Sequence, residues 1–171
     1  MFDPTIFENL KVGLENYVYD LDTIDRVVQV INRKDQLDMS IMSRTFALEF
    51  HLANQQKTTA EIELQASLKD LADEILEIPG ESPGCNLLIH FTIEIEDIKT
   101  QCEQIQDILL SIWDPVLSPE QTVSFVYGKD KKKYLNSTKL MFDHKINEEH
   151  MADVPEFVDH VVETLRELNN V

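Results

Sequence analysis

Alternation of apolar and polar residues with period two is the clearest pattern along the chain. Phe46, Leu48, Phe50 and Leu52 alternate with Thr45, Glu49 and His51. After the polar break at 53–57, Ala60, Ile62, Leu64 and Ala66 alternate with Thr59, Glu61, Glu63 and Gln65. A strand sends successive side chains to opposite faces, so 44–66 reads as an antiparallel hairpin with one apolar and one polar side. A third strand passes through Leu87, Ile89, Phe91, Ile93 and Ile95, with Leu88, His90, Thr92 and Glu94 pointing the other way. Val123, Phe125 and Tyr127, then Leu140, Phe142, His144 and Ile146, predict a second hairpin that turns near residues 128–133.

Helical spacing appears in three places. Ser67 with Asp70 three residues on has the form of a capping box. It opens a helix expected to present Leu68, Leu71, Ala72 and Ile75 to the core and to end at Pro79-Gly80. Ile98, Cys102, Ile105, Leu109 and Ile112 form one stripe that Asp114-Pro115 should stop. A last helix starts at Asp153, carries Pro155 in its first turn, and buries Phe157, Val158, Val161, Val162, Leu165 and Leu168. The fold class that follows is α+β: a mainly antiparallel sheet packed by about three amphipathic helices, the C-terminal one closing a single domain over 1–171.

The first forty residues carry two conflicting signals. Phe7, Leu10, Leu14, Tyr17, Leu21, Ile24, Val28 and Ile31 fit a helical stripe that could start at Asp3-Pro4. Gly13, the β-formers Tyr17-Val18-Tyr19 and Val27-Val28, and the acidic cluster Asp20, Asp22 and Asp25 are poor helix-interior residues. Weighing propensity above spacing gives strands over 5–33, with a turn near Asp22 to Asp25.

Charge then narrows the function. Thirty-two acidic against fifteen basic side chains leave a formal charge of -17, which repels nucleic-acid backbones and anionic membrane surfaces alike. No apolar run approaches the ~18 to 20 residues a membrane span needs, and the first residues lack a basic leader, so a cytoplasmic protein is expected. Two cysteines, Cys85 and Cys102, are too few for a disulfide framework.

No motif fixes a chemistry. The four glycines are too dispersed for a phosphate-cradling loop, and neither His-Glu-x-x-His, Cys-x-x-Cys nor Gly-x-Ser-x-Gly occurs, so no cofactor, metal or catalytic residue is assigned. Cys85 and His90 lie on one strand at a separation of roughly 16 Å, on opposite faces, and cannot form a nucleophile–base pair. Cys102 belongs to an apolar stripe and reads as core. His144, Glu148, Glu149 and His150 crowd together as a metal set would, if their side chains converge. The lysines within 129–133 read as a solubilised hairpin tip.

The most informative feature is the polar face of the three firm strands: Glu49, His51, Glu61, Glu63, His90, Thr92 and Glu94. Such a face suits a basic protein partner or a cation. The reading adopted is a non-catalytic acidic binding or regulatory protein that engages a protein partner, without nucleic acid or membrane, and compatible with a homodimer. Two alternatives are a small metal-dependent enzyme or hydrolase and an inhibitor that mimics nucleic acid.

Overall fold

The computed structural model describes residues 5–113, 117–129 and 132–171. The proposed start at Asp3-Pro4, the stop at Asp114-Pro115, and Lys131 of the lysine run lie outside the described residues. Four α-helices and a six-stranded antiparallel sheet are present among the described residues: α1 (Thr5–Thr23), β1 (Val28–Asp38), β2 (Ser43–Leu52), β3 (Gln55–Ala66), α2 (Leu68–Leu76), β4 (Asn86–Ile95), α3 (Ile98–Ile112), β5 (Glu120–Ser124), β6 (Tyr134–Met141) and α4 (Val154–Leu168). The spatial order of the strands is β1-β2-β3-β4-β6-β5.

The 44–66 hairpin and the strand at 87–95 stand where alternation puts them, and neighbouring apolar residues pair in register: Phe50 opposite Ala60, Ala60 opposite Phe91. Their apolar sides form the core, with Phe46, Leu48, Phe50, Ile62, Leu64, Ile89 and Phe91 almost wholly buried. α1, α3 and α4 supply the other half through Phe7, Leu10, Ile105, Leu109, Val158, Val161 and Leu165. No helix among the described residues is long and apolar enough to cross a membrane.

The strand expectation for 5–33 is wrong in its first half. Thr5–Thr23 is a helix that buries Phe7, Leu10, Leu14, Val18 and Leu21. Spacing prevailed over propensity because a stripe packed on a sheet and on α4 outweighs the few tenths of a kcal/mol by which each β-branched or aromatic residue disfavours a helix. Gly13 is tolerated for a tertiary reason: a Cβ there would meet Met151 Cε at 2.5 Å, so its absence lets the 3₁₀ turn Glu148–Asp153 lie against α1. The turn after Asp22 and the strand beyond it follow the expected pattern, with Arg26 at φ 55 before β1.

β1 carries a bulge between Val30 and Asn32, so Ile31 has no partner in the register and alternation shifts by one residue. Beyond it, Arg33 and Asp35 face the helices where apolar residues would be expected. Charges from α1 complement them: Lys11 Nζ lies 2.9 Å from both Glu8 and Asp35, Arg44 bridges Glu8 and Asp35, and Arg33 meets Glu15. The Arg44 guanidinium also stacks 4.5 Å from the Phe7 ring centre.

Three further expectations need correction. The row Val123, Phe125 and Tyr127 ends early, because β5 stops at Ser124 and leaves Phe125, Val126 and Tyr127 exposed. The partner row also shifts: β6 is Tyr134–Met141, its buried side reads Asn136, Thr138 and Leu140, and His144 lies beyond it in solvent. Cys102 is not plain core but half-buried, and its Sγ accepts a hydrogen bond from Asn136 Nδ2 at 3.3 Å.

α2 is turned over relative to its expected orientation. The capping box forms as predicted, with the Asp70 backbone N–H donating to Ser67 Oγ at 3.2 Å. Yet Asp70 and Asp73 are the buried residues, whereas Leu68 and Ile75 of the predicted core face are exposed, as is Leu76; Leu71 alone of the predicted leucines packs against the core. Partners from elsewhere in the fold set this rotation: Lys145 Nζ reaches Asp70, and Glu74 Oε1 accepts from the Ile6 backbone N–H at 3.1 Å, so the face carrying Asp70 and Glu74 turns inward and Leu68 and Ile75 turn outward.

The loop between α2 and β4 is anchored at Gly84. A Cβ at this position would meet the Ile146 carbonyl oxygen at 2.7 Å and Lys145 Cβ at 3.0 Å, where Cys85 and Ile146 exchange backbone hydrogen bonds of 2.8 and 2.9 Å. Because the obstacle is main chain, Gly84→Ala is expected to destabilise the fold by about 1 to 3 kcal/mol, the usual range for forced overpacking. Urea denaturation checks this, and an unchanged midpoint would show that the bridge can yield.

Candidate functional site

Register places the polar residues of the three central strands on the sheet face turned away from the core. One row runs Asn32, Glu49, Glu61, His90, Lys139 and Glu120 across all six strands. A second runs Gln29, His51, Thr59, Thr92, Ser137 and Thr122. Glu61, Glu63 and His90 converge, each offering a ligand atom within 4.8 Å of the others. Of the remaining predicted residues, Glu49 lies opposite Glu61 in the first row, and the other three stand apart from the trio. His51 is buried with Nδ1 donating to the Leu52 carbonyl oxygen at 2.9 Å, Thr92 sits in the second row, and Glu94 meets Lys133 at 2.7 Å.

Lys34 completes the cluster, and sequence reasoning missed it. Its Nζ lies 2.8 Å from Glu61 Oε2, and that hydrogen bond, aided by the nearby charges of Glu61, Glu49 and Glu63, raises the lysine pKa despite partial burial. No signal in the sequence could reveal this, because the bulge at Ile31 moves Lys34 onto the face that strict alternation assigns to its neighbours. Lys34 and Lys133 thus pair with two of the four carboxylates, Glu61 and Glu94.

The 144–150 cluster does not converge on a metal. The His144 and His150 rings lie 6.1 Å apart, but His144 pairs with Asp143, Asn9 Nδ2 donates to Glu148, and His150 Nδ1 is engaged with Asn147. Among the described residues, Glu61, Glu63 and His90 are the group of three or more with metal-holding proximity. The two histidines instead flank a pocket of about 190 Å³ walled by Leu10, Leu14, Leu87, Phe142, Val154 and Phe157.

Cys85 is buried, and that burial, reinforced by the carboxylates of Asp70 and Glu74, pushes its thiol up to about 12. A thiol this reluctant to ionise is no nucleophile near neutrality. Iodoacetamide applied to the folded protein at about pH 8 should therefore modify Cys102 well before Cys85. Peptide mass mapping reads the order, and early alkylation of Cys85 would contradict its burial.

Exposed apolar side chains occur on the β1–β2 turn and on α2, near one end of the sheet. Arg44 of β2 pairs with Ala66 of β3, immediately before α2, so the β1–β2 turn and the first residues of α2 share that end. Met39 is 74% exposed, Ile41 62% and Leu76 67%, joined by Leu37, Met42, Leu68 and Ile75. Acidic groups stand among them at Asp38, Glu77 and Glu81, while Lys69 is paired with Asp73 and Glu81. Comparison of the chain with family models, curated proteins and solved structures finds no match.

Proposed function

We propose that this chain is a non-catalytic binding protein that engages a basic, amphipathic segment of a protein partner, docking it on α2 and the tip of the β1–β2 hairpin. The observation that carries this reading is the inverted α2, which holds Asp70 and Asp73 inward and offers Leu68, Ile75 and Leu76 to solvent. Apolar side chains gathered at one end of a molecule mark an interaction surface more often than scattered ones do. Met39 and Met42 add unbranched side chains that adapt to a partner's shape. Charge selects the partner: a net -17, with Asp38, Glu77 and Glu81 beside the apolar residues, repels a second acidic copy and attracts lysine or arginine.

The test is a titration with a designed Leu/Lys amphipathic helix of about five turns, against a Leu/Glu helix of the same pattern. The Leu/Lys helix is expected to bind, and to weaken as salt rises from about 50 to about 500 mM, because exposed charges are screened over that range. Equal affinity for both helices would sink the proposal.

A second reading rests on Glu61, Glu63 and His90, a carboxylate–imidazole trio that matches the donor preference of zinc. Lys34 opposes it, since its ammonium would have to leave Glu61 before a dication entered. Zinc added to metal-free protein, with His90→Ala as control, decides: a thermal shift that His90→Ala abolishes supports a metal site, and no shift removes it.

A further inference from the structure

The pocket beside His144 and His150 is lined by none of the residues of the docking end. Its walls come from α1 (Leu10, Leu14), β4 (Leu87), the end of β6 (Phe142) and α4 (Val154, Phe157), and they are almost entirely apolar. At about 190 Å³ it exceeds the ~150 Å³ apolar cavity that takes up benzene, so one substituted aromatic ring fits. The sole lining carboxylate is Asp153, at the mouth. As the first residue before α4 it makes no side-chain cap hydrogen bond, and among the described residues no ion pair engages it. Asp143, Glu148, Glu149 and Glu156 lie nearby in sequence, beside Lys145 and the lining His144 and His150.

We infer that this pocket binds a small aromatic or arylalkyl ammonium ion, its apolar body against Leu10, Leu14, Phe142 and Phe157 and its cationic group at Asp153. Apolar walls supply affinity for the ring, and the free carboxylate selects the charge. A lysine side chain of a protein would satisfy Asp153 but leave the ring-sized space unfilled, so a free small molecule is the occupant assigned.

Trp113 provides a built-in reporter. It is the one tryptophan of the chain, and its ring stacks edge-on against two pocket walls, Phe142 at 6.1 Å and Phe157 at 5.8 Å. Benzylamine, benzyl alcohol and benzoate are titrated against the full chain while Trp113 emission is followed, with methyl resonances of Leu10, Leu14 and Ile146 as a second readout. Benzylamine is expected to bind about two- to five-fold more tightly than benzyl alcohol, the range of a partly exposed ion pair, and benzoate more weakly than either. Asp153→Asn keeps a good helix-capping residue and should remove the amine's advantage while leaving the alcohol unchanged. Leu14→Phe, which fills the pocket, should abolish binding of both. The proposal is overturned if none of the three perturbs the pocket methyls, if benzoate matches benzylamine, or if Asp153→Asn leaves the amine preference intact. N-acetyl-lysine amide binding as tightly as benzylamine would point to a protein side chain and overturn the small-molecule assignment.

Discussion

Replacing Asp70 by alanine is expected to lower the unfolding free energy by about 2 to 4 kcal/mol and the melting temperature by roughly 10 °C, a large share of what holds a domain of this size together. The carboxylate is 5% exposed and serves three donors: the Ser67 hydroxyl, the Ser67 backbone N–H at 3.3 Å, and Lys145 Nζ. Alanine keeps the Ser67 cap on the residue-70 backbone N–H but loses the carboxylate's half of the capping box and its bond to Lys145, and a hydrogen bond to a charged group is worth about 1.5 to 3 kcal/mol. The loss should depend on pH. Burial alone would raise the Asp70 pKa, but the Lys145 ammonium and the Ser67 donors outweigh it and hold the carboxyl below its ordinary value. A depressed folded-state pKa stabilises at every pH above the unfolded value and ceases to do so as pH falls through the folded one. The gap between wild type and Asp70→Ala should therefore be full at pH 7 and close below about pH 4. Urea denaturation at both pH values measures it. A gap that persists in acid would mean that packing, not the carboxylate, is responsible.

The second large effect concerns binding rather than stability. Leu76→Lys combined with Ile75→Lys should weaken the Leu/Lys helix at least ten-fold, while moving the unfolding free energy by no more than about 0.5 kcal/mol, as befits exposed positions. Leu76 is 67% exposed and Ile75 41%, so little packing is lost, but each lysine replaces apolar contact with charge of the partner's own sign. Undiminished binding by the double variant would place the docking surface elsewhere. A substantial drop in stability would instead mean that these side chains pack against the body of the protein.

Much of the fold was legible where one local rule acted alone. Alternation sufficed for β2, β3 and β4 because a buried apolar row opposite a polar one leaves a single workable register. α3 and α4 declared themselves by uninterrupted stripes. Legibility failed wherever a long-range partner overrode the local rule. Gly13 looked like a helix breaker until Met151, more than a hundred residues away, took the space of its missing side chain. The polar stretch Arg33 to Asp35 could not be recognised as inward-facing without the charges that α1 brings to it. α2 misleads because an apolar side is expected to seek the core, whereas Lys145 and the Ile6 backbone hold Asp70 and Glu74 on the inner side.

The candidate site was legible to a similar extent. Alternation puts Glu61, Glu63 and His90 on one polar face together with Glu49, His51, Thr92 and Glu94, but the closeness of these three follows only from the pairing of β3 with β4. The neutralising lysine and the pocket at Asp153 depend on a bulge and on the meeting of four elements distant in sequence, and neither leaves a trace in local pattern.

The irregularity at Ile31 also bears on how copies of this chain meet. β1 forms one margin of the sheet, and an unbroken ribbon there could recruit strands from other molecules into a growing fibre. The extra residue interrupts its spare donors and acceptors, and Arg33, Lys34, Asp35 and Asp38 stud the remainder with charge of both signs. Growth by continuation of the sheet is thereby discouraged, which leaves the oily end of the molecule free to remain sticky without the hazard of amyloid.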